Sequence, residues 1–239
     1  MLSKLVVRKN VVAVGALAGA AVVLLSGCRV NLDLGEQRQS VTSYTVGGDL
    51  TALEAYTHAG DVVITETGQR EVRVTETRHW NGDTKDSPRT EHPVADGTLT
   101  LRYDCPRSSH CSVDYRIEIP RGLAVTLEST AGDLTLRALT GEVNATATSG
   151  DIEGNDLGAK NLVATTGAGD VEVRFAAVPT RVEVETGAGG ATVRLPQGGY
   201  NVTAGTGAGE EIVKVTNDPA SPNVVSVRTG AGDAKVLPV

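Results

Sequence analysis

A three-residue signal, a small residue followed by Gly and then usually an acid, recurs along the chain and restricts what it can fold into. It stands at Ala59-Gly60-Asp61, Ala131-Gly132-Asp133, Ser149-Gly150-Asp151, Ala168-Gly169-Asp170, Ala188-Gly189-Gly190, Ala208-Gly209-Glu210 and Ala231-Gly232-Asp233. From Gly132 onward the central glycines are 18, 19, 20, 20 and 23 residues apart. Such a period suits one coil of a stacked β structure, in which no coil buries its apolar face alone.

Aligned on these glycines, the segments show matching columns. Seven residues before the Gly stand Leu53, Val125, Val143, Leu162, Val182, Val202 and Val225; five before stand Ala55, Leu127, Ala145, Ala164, Val184, Ala204 and Val227. Three before stand Thr57, Ser129, Ala147, Thr166, Thr186, Thr206 and Thr229. Columns two residues apart share one face of a strand. The intervening column is mostly polar (Glu54, Thr126, Asn144, Glu183, Thr203, Ser226; Val163 excepted), as in a strand with one face in water. A second strand follows each Gly, with Val62, Leu134, Ile152, Val171, Ala191 and Ala234 at the second position. Ile64, Leu136, Val173, Val193 and Val236 stand at the fourth, where Gly154 breaks the column; Glu210-Glu211 reads as a slip of register. Looser return segments such as Phe175–Pro179 and Pro196–Gly199 close each coil.

The expected fold is therefore all-β: a repeat-built β-solenoid or β-helix-like stack with coils of about 20 residues, roughly 24 Å long from Gly132 to Gly232 at ~4.8 Å per rung. Residues 130–239 form the regular repeat region. Residues 40–129 are less regular, with strands expected at Leu50–Thr57, Val62–Glu66, Val72–Thr77, Thr98–Tyr103, Val113–Ile119 and Ala124–Glu128. A polar insertion spans residues 79–112, and 40–239 read as one continuous domain.

The first residues read as a processing signal. Lys4, Arg8 and Lys9 precede an apolar run from Val11 to Leu25, too short for a comfortable membrane span. It ends in Leu25-Ser26-Gly27-Cys28, which resembles a bacterial lipobox. That resemblance implies a lipoprotein signal peptide over 1–27, a diacylglyceryl group on Cys28 and a tether over 28–39, so that the chain is extracytoplasmic and lipid-anchored to the cell membrane. Dual acylation gives stable anchoring. An ordinary signal peptide or anchor with an incidental Cys is the alternative.

Cys105 and Cys111 then remain as an even pair in an oxidising compartment, flanking a short turn-rich loop that a disulfide can close. A metal site drawing on His110, His92 and His79 is the sharper alternative, but the spacing matches no usual zinc pattern. No cofactor is expected. The Thr-Gly-Ala-Gly runs are followed by strands rather than helices and lack the Lys-Ser/Thr of a phosphate loop, so they are turns. Asp133, Asp151 and Asp170 would stack at rung spacing, either as a calcium-holding column or with each carboxylate accepting an N–H of its own turn. Glu183 and Glu185 are the outward carboxylates that a glycan-active enzyme would need, without a matched acid or cation cluster.

Aromatics are only 3% of the chain, so the core must be built from aliphatic and β-branched residues. A net charge of −7 with no basic block argues against nucleic acid. Trp80, beside His79, is the one ring placed to serve a loop that binds something, though it could equally plug the end of the stack.

The elements Thr57-His58-Ala59-Gly60-Asp61-Val62 and Thr166-Gly167-Ala168-Gly169-Asp170-Val171 resemble those of the "putative adhesin" β-strand-repeat family of bacterial extracytoplasmic proteins, a domain of unknown function. The resemblance covers roughly Leu50 to Val239. It implies a β-solenoid-like body outside the cytoplasm and brings no catalytic residues. The expectation is a non-enzymatic, adhesin-like envelope lipoprotein. Its partners would be the bilayer through Cys28, an unidentified envelope protein or polymer, and copies of itself through end strands. The alternatives are a glycan-active enzyme and a calcium-stabilised module.

Overall fold

The computed structural model describes residues 37–106 and 110–239. The expected signal peptide, Cys28 and the tether up to residue 36 lie outside the described residues. No α-helix occurs among the described residues; one 3-10 turn, Thr84–Asp86, interrupts the strands.

Each Gly signal sits between two strands that belong to different sheets, one of ten strands and one of eleven. The strand pairs, which we call rungs by their central glycine, are Ala52–Ala59 with Val62–Glu66 (Gly60), Ala124–Ala131 with Leu134–Arg137 (Gly132), and Val143–Ser149 with Ile152–Leu157 (Gly150). They continue as Asn161–Ala168 with Val171–Phe175 (Gly169) and Arg181–Ala188 with Ala191–Leu195 (Gly189). The last two are Gly199–Thr206 with Glu211–Val213 (Gly209) and Val224–Ala231 with Ala234–Pro238 (Gly232). A further rung, Thr98–Asp104 with Cys111–Ile119, has a disulfide where the others have Gly.

Like residues stack in register. Val125 pairs with Val143, Val143 with Leu162, Leu162 with Val182 and Val182 with Val225, all by parallel pairing. The seam runs on through Leu53 to Leu99. The facing seam joins Tyr115, Val62, Leu134, Ile152, Val171, Ala191 and Ala234, each essentially closed to water. At roughly 25 cal/mol per Å² of apolar surface these seams dominate stability. The gap left by Gly154 is filled from within its own strand. A bulge brings Leu157 opposite Phe175, and a Cβ on Gly154 would lie 2.8 Å from Leu157 Cδ1.

Three side-chain positions explain the repeated motif. Wherever a rung has its central glycine, that glycine has φ between +108° and +151°, a region that L-residues avoid. Its neighbour also lies too close for a side chain, since a Cβ on Gly189 would stand 2.1 Å from the carbonyl oxygen of Gly169. The Thr three residues earlier, buried at 166, 186 and 229 and half-buried at 206, donates across rungs: Thr166 to Gly150 O at 2.9 Å, Thr186 to Gly169 O at 2.8 Å, Thr229 to Gly189 O at 2.8 Å, Thr206 to Gly232 O at 2.7 Å. Each such bond contributes about 1 kcal/mol net. The Asp after the Gly accepts an N–H of the next rung and not of its own turn, which corrects the sequence-based expectation. Asp61 accepts from Asp133, Asp133 from Asp151, Asp151 from Asp170 and Asp170 from Gly190, at 2.7–3.0 Å, and Asp114 of the disulfide rung, which follows Val113, takes the same part toward Asp61 N at 3.0 Å.

The structure corrects the sequence reading in other places. Rung order is not chain order at either end: the Gly232 rung lies between those of Gly189 and Gly209, and the disulfide rung lies outside that of Gly60. The Gly209 rung keeps its register, Glu211 opposite Ala234 and Val213 opposite Val236, so no slip occurs. Glu211 is tolerated in a core column because its rung is the last of its sheet and leaves it exposed. Gln37–Val46 is a strand paired antiparallel to Val72–Asn81, so residues 37–39 are not tether. The expected insertion at 79–112 is woven into both sheets: Val72–Asn81 pairs antiparallel with Cys111–Ile119, and Arg89–Glu91 and Val94–Ala95 pair with Thr98–Asp104.

Candidate binding surface

Departures from the repeat gather at the end of the stack formed by Gln37–Val46 and Val72–Asn81. The alternation of the second strand turns Val72, Val74, Glu76 and Trp80 into buried positions, with Arg78 half-buried between them. The core is therefore aliphatic at the start of this strand and polar at its end. Tyr44 donates to Glu76 Oε1 at 2.6 Å and stacks on His92 with centroids 4.3 Å apart. Burial, and then the bond to Glu76, raise the Tyr44 phenol far above its ordinary value. The fully buried Tyr115 is raised likewise by burial and the nearby Glu76 charge. Tyr103 fixes this end to the repeat, donating to Ala59 O and accepting from Ala59 N, both at 2.6 Å.

Cys105 and Cys111 are joined, with Cα atoms 5.9 Å apart. The thiolates that a metal site would use are thereby taken. His79 instead meets Asp114 Oδ2 at 2.9 Å, His92 lies on Tyr44 and His110 is exposed, so the candidate ligands are dispersed. Among the described residues no group of three or more His, Cys, Asp or Glu is placed to hold a metal. Glu183 is engaged by Arg181 at 3.0 Å on the outer face of the stack, with Glu185 exposed beyond it.

His79 and Trp80 do not form a loop. Both lie in the Val72–Asn81 strand; Trp80 is only 7% exposed and donates Nε1–H to Asp83 O at 3.0 Å. Trp80 lines a cleft of about 650 Å³, which also takes in Ser40, Arg78, Lys85, Arg89 and Thr90. Sequence reasoning missed these three cations because acids surround them in the chain. Folding diverts the acids: Asp86 accepts Asp83 N at 2.9 Å to cap the 3-10 turn, and Glu91 pairs with Arg102 at 2.7 Å. Strand alternation from Val72 was the available signal, since it puts Arg78 and Trp80 on one side.

The Toastrack DUF4097 family profile matches residues 111–237, from the second strand of the disulfide rung to the second strand of the Gly232 rung. No curated protein matches the chain. Among solved structures, a "putative cell adhesion protein" from Clostridium sporogenes is similar, with 16% identity, a TM-score of 0.49, and coverage of 85% of this chain and 100% of that one. A "putative adhesin" from Bacteroides fragilis shows 13% identity and a TM-score of 0.34, with 84% of this chain and 97% of that one covered. The profile spans more than half of the sequence and takes in most of the in-register ladder, and the chain belongs to the Toastrack DUF4097 family, a domain of unknown function.

Proposed function

We propose that this chain is a membrane-anchored, extracytoplasmic interaction module of adhesin-like character, with no catalytic step of its own. The carrying observation is how its polar groups are used. From the Gly169 rung to the Gly232 and Gly209 rungs the Thr hydroxyls donate to neighbouring rungs, and Asp carboxylates accept from them along the column from Asp114 to Asp170, so the ladder is a self-bonded wall. At one end, a cleft lined by Ser40, Arg78, Lys85, Arg89 and Thr90 departs from this pattern. A stiff β stack carrying one distinctive end suits display at a surface.

Anchoring follows from the Leu25-Ser26-Gly27-Cys28 signal, which precedes the first described strand by nine residues. At ~3.3–3.6 Å per extended residue, this tether holds the Gln37 end within roughly 30 Å of the bilayer. The test is fractionation of cells expressing the natural chain or Cys28→Ala. The natural chain should sediment with membranes and partition into detergent, and the variant should be lost from that fraction. Equal membrane association of both would refute anchoring through Cys28. Incubation of the purified chain with isolated envelopes and wall glycans should give binding without new reducing ends or unsaturated sugars; release of either would refute the non-catalytic reading.

A further inference from the structure

We infer that the cleft between Ser40, Arg78 and Arg89 is a binding site for a phosphodiester group, of the kind carried by anionic phospholipid headgroups. Three of its side chains are cationic, Arg78, Lys85 and Arg89, and among the described residues no carboxylate lines it, in a chain whose net charge is −7. These cations are short of acceptors. Arg78 donates Nη2–H to Thr42 Oγ1 at 3.0 Å, while its Nε is buried with no acceptor among the described residues. A guanidinium has five N–H donors, so most of its capacity is open. Arg89 forms no ion pair with a described residue, and Lys85 reaches Asp83 only at 3.9 Å with both side chains largely exposed.

Two guanidinium forks and an ammonium, with the hydroxyls of Ser40 and Thr90 beside them, present N–H and O–H donors from several sides. A phosphate, with charge spread over its oxygens, uses such an array more fully than a single carboxylate can. The volume of about 650 Å³ also leaves room for a group larger than the anion itself. The lipid source rests on the proposed anchoring through Cys28: the Gln37 start of the first described strand pairs with Asn81, next to Trp80, so the tether brings this end to the membrane.

Trp80 is the only Trp and lines the cleft, so its emission reports occupancy in the full chain purified in neutral detergent. The probes are glycerophosphoglycerol, dioctanoyl-phosphatidylglycerol, and glucuronate as a carboxylate control. Both phosphodiesters should shift Trp80 emission saturably, the lipid at lower concentration, and with affinity that weakens as salt rises. Arg89→Gln and Lys85→Gln, both at exposed positions, should each weaken binding roughly tenfold, the loss of one charge-assisted contact. No shift, an equal response to glucuronate, or unchanged affinity in both variants would overturn the site. Binding of the soluble headgroup without binding of the lipid would overturn the lipid source. The titration uses purified protein, so its failure would leave the Cys28→Ala fractionation result standing, and the converse holds.

Discussion

Gly189→Ala probes how closely the rungs stack. Gly189 has φ +142°, and an added Cβ would stand 2.1 Å from Gly169 O, an atom of the neighbouring backbone that cannot swing away. Relieving that overlap by roughly 1 Å stretches the ladder bonds at this turn: Gly169 N to Ala188 O at 2.9 Å, Val171 N to Gly190 O at 2.9 Å and Thr186 Oγ1 to Gly169 O at 2.8 Å. Three weakened bonds cost up to about 3 kcal/mol. The positive φ adds about 1–3 kcal/mol for a residue with a Cβ. With the bonds at their full cost the sum is about 4–6 kcal/mol, or a melting point lower by roughly 8–24 °C for a body of this size. Gly205→Ala is the matched control, since no atom lies within 4 Å of its added Cβ and its φ is not positive. It should change stability by less than about 1 kcal/mol. Circular dichroism melts and urea titrations of both variants provide the comparison. If Gly189→Ala melts within about 2 °C of the natural chain, then the rungs do not approach through these carbonyls and the explanation of the motif fails.

Val184→Asp places a carboxylate in a core seam that is 1% exposed and should cost more than about 4 kcal/mol, whereas Glu183→Lys on the outer face should cost less than about 1. Urea unfolding of the pair checks both, and similar behaviour would mean that the facing is misassigned. The half-buried phenol of Tyr44 and the buried phenol of Tyr115 hold their protons to higher pH than they would in the unfolded chain. The unfolded state therefore binds fewer protons above its own phenol pKa of about 10. This contribution is complete below that pH and is lost as pH rises beyond it. Tyr44→Phe should flatten the alkaline fall seen in pH-dependent melts while lowering stability at neutral pH by about 1–3 kcal/mol, because Glu76 loses its donor.

The interior of the stack was readable in the chain because each seam repeats at a fixed offset from a glycine that only glycine can replace. Its order was not. Val202 and Val225 present the same inward residue, and parallel in-register pairing is indifferent to which of two equivalent strands comes next. The deciding mark is Glu211, a carboxylate in a core column, which fits only where no further rung covers it. The Gln37–Val46 strand escaped notice because Ser40 and Thr42 stand where an apolar alternation would otherwise show. Its partner strand encloses a polar core around Glu76 rather than an aliphatic one. Of the two places open to Trp80, a loop tip or the end of the stack, the structure takes the second, because the Val72 alternation runs on to Asn81 and buries the ring. The cationic cleft depends on which carboxylates the 3-10 turn and Arg102 divert, and that is a property of packing that spacing does not encode.

Cysteine pairing on the outer face distinguishes the observed stacking order from simple succession along the chain. Glu183 pairs with Ser226, and Ser226 with Thr203. Neighbouring strands put Cα atoms about 4.8 Å apart, within disulfide reach, and two rungs put them about 9.6 Å apart, beyond it. Under mild oxidation Glu183→Cys with Ser226→Cys should crosslink almost fully, and Glu183→Cys with Thr203→Cys should not, as read by peptide mass spectrometry. Efficient closure of the second pair and failure of the first would show that the rungs follow chain order, and would contradict the ladder in which the Gly232 rung separates those of Gly189 and Gly209.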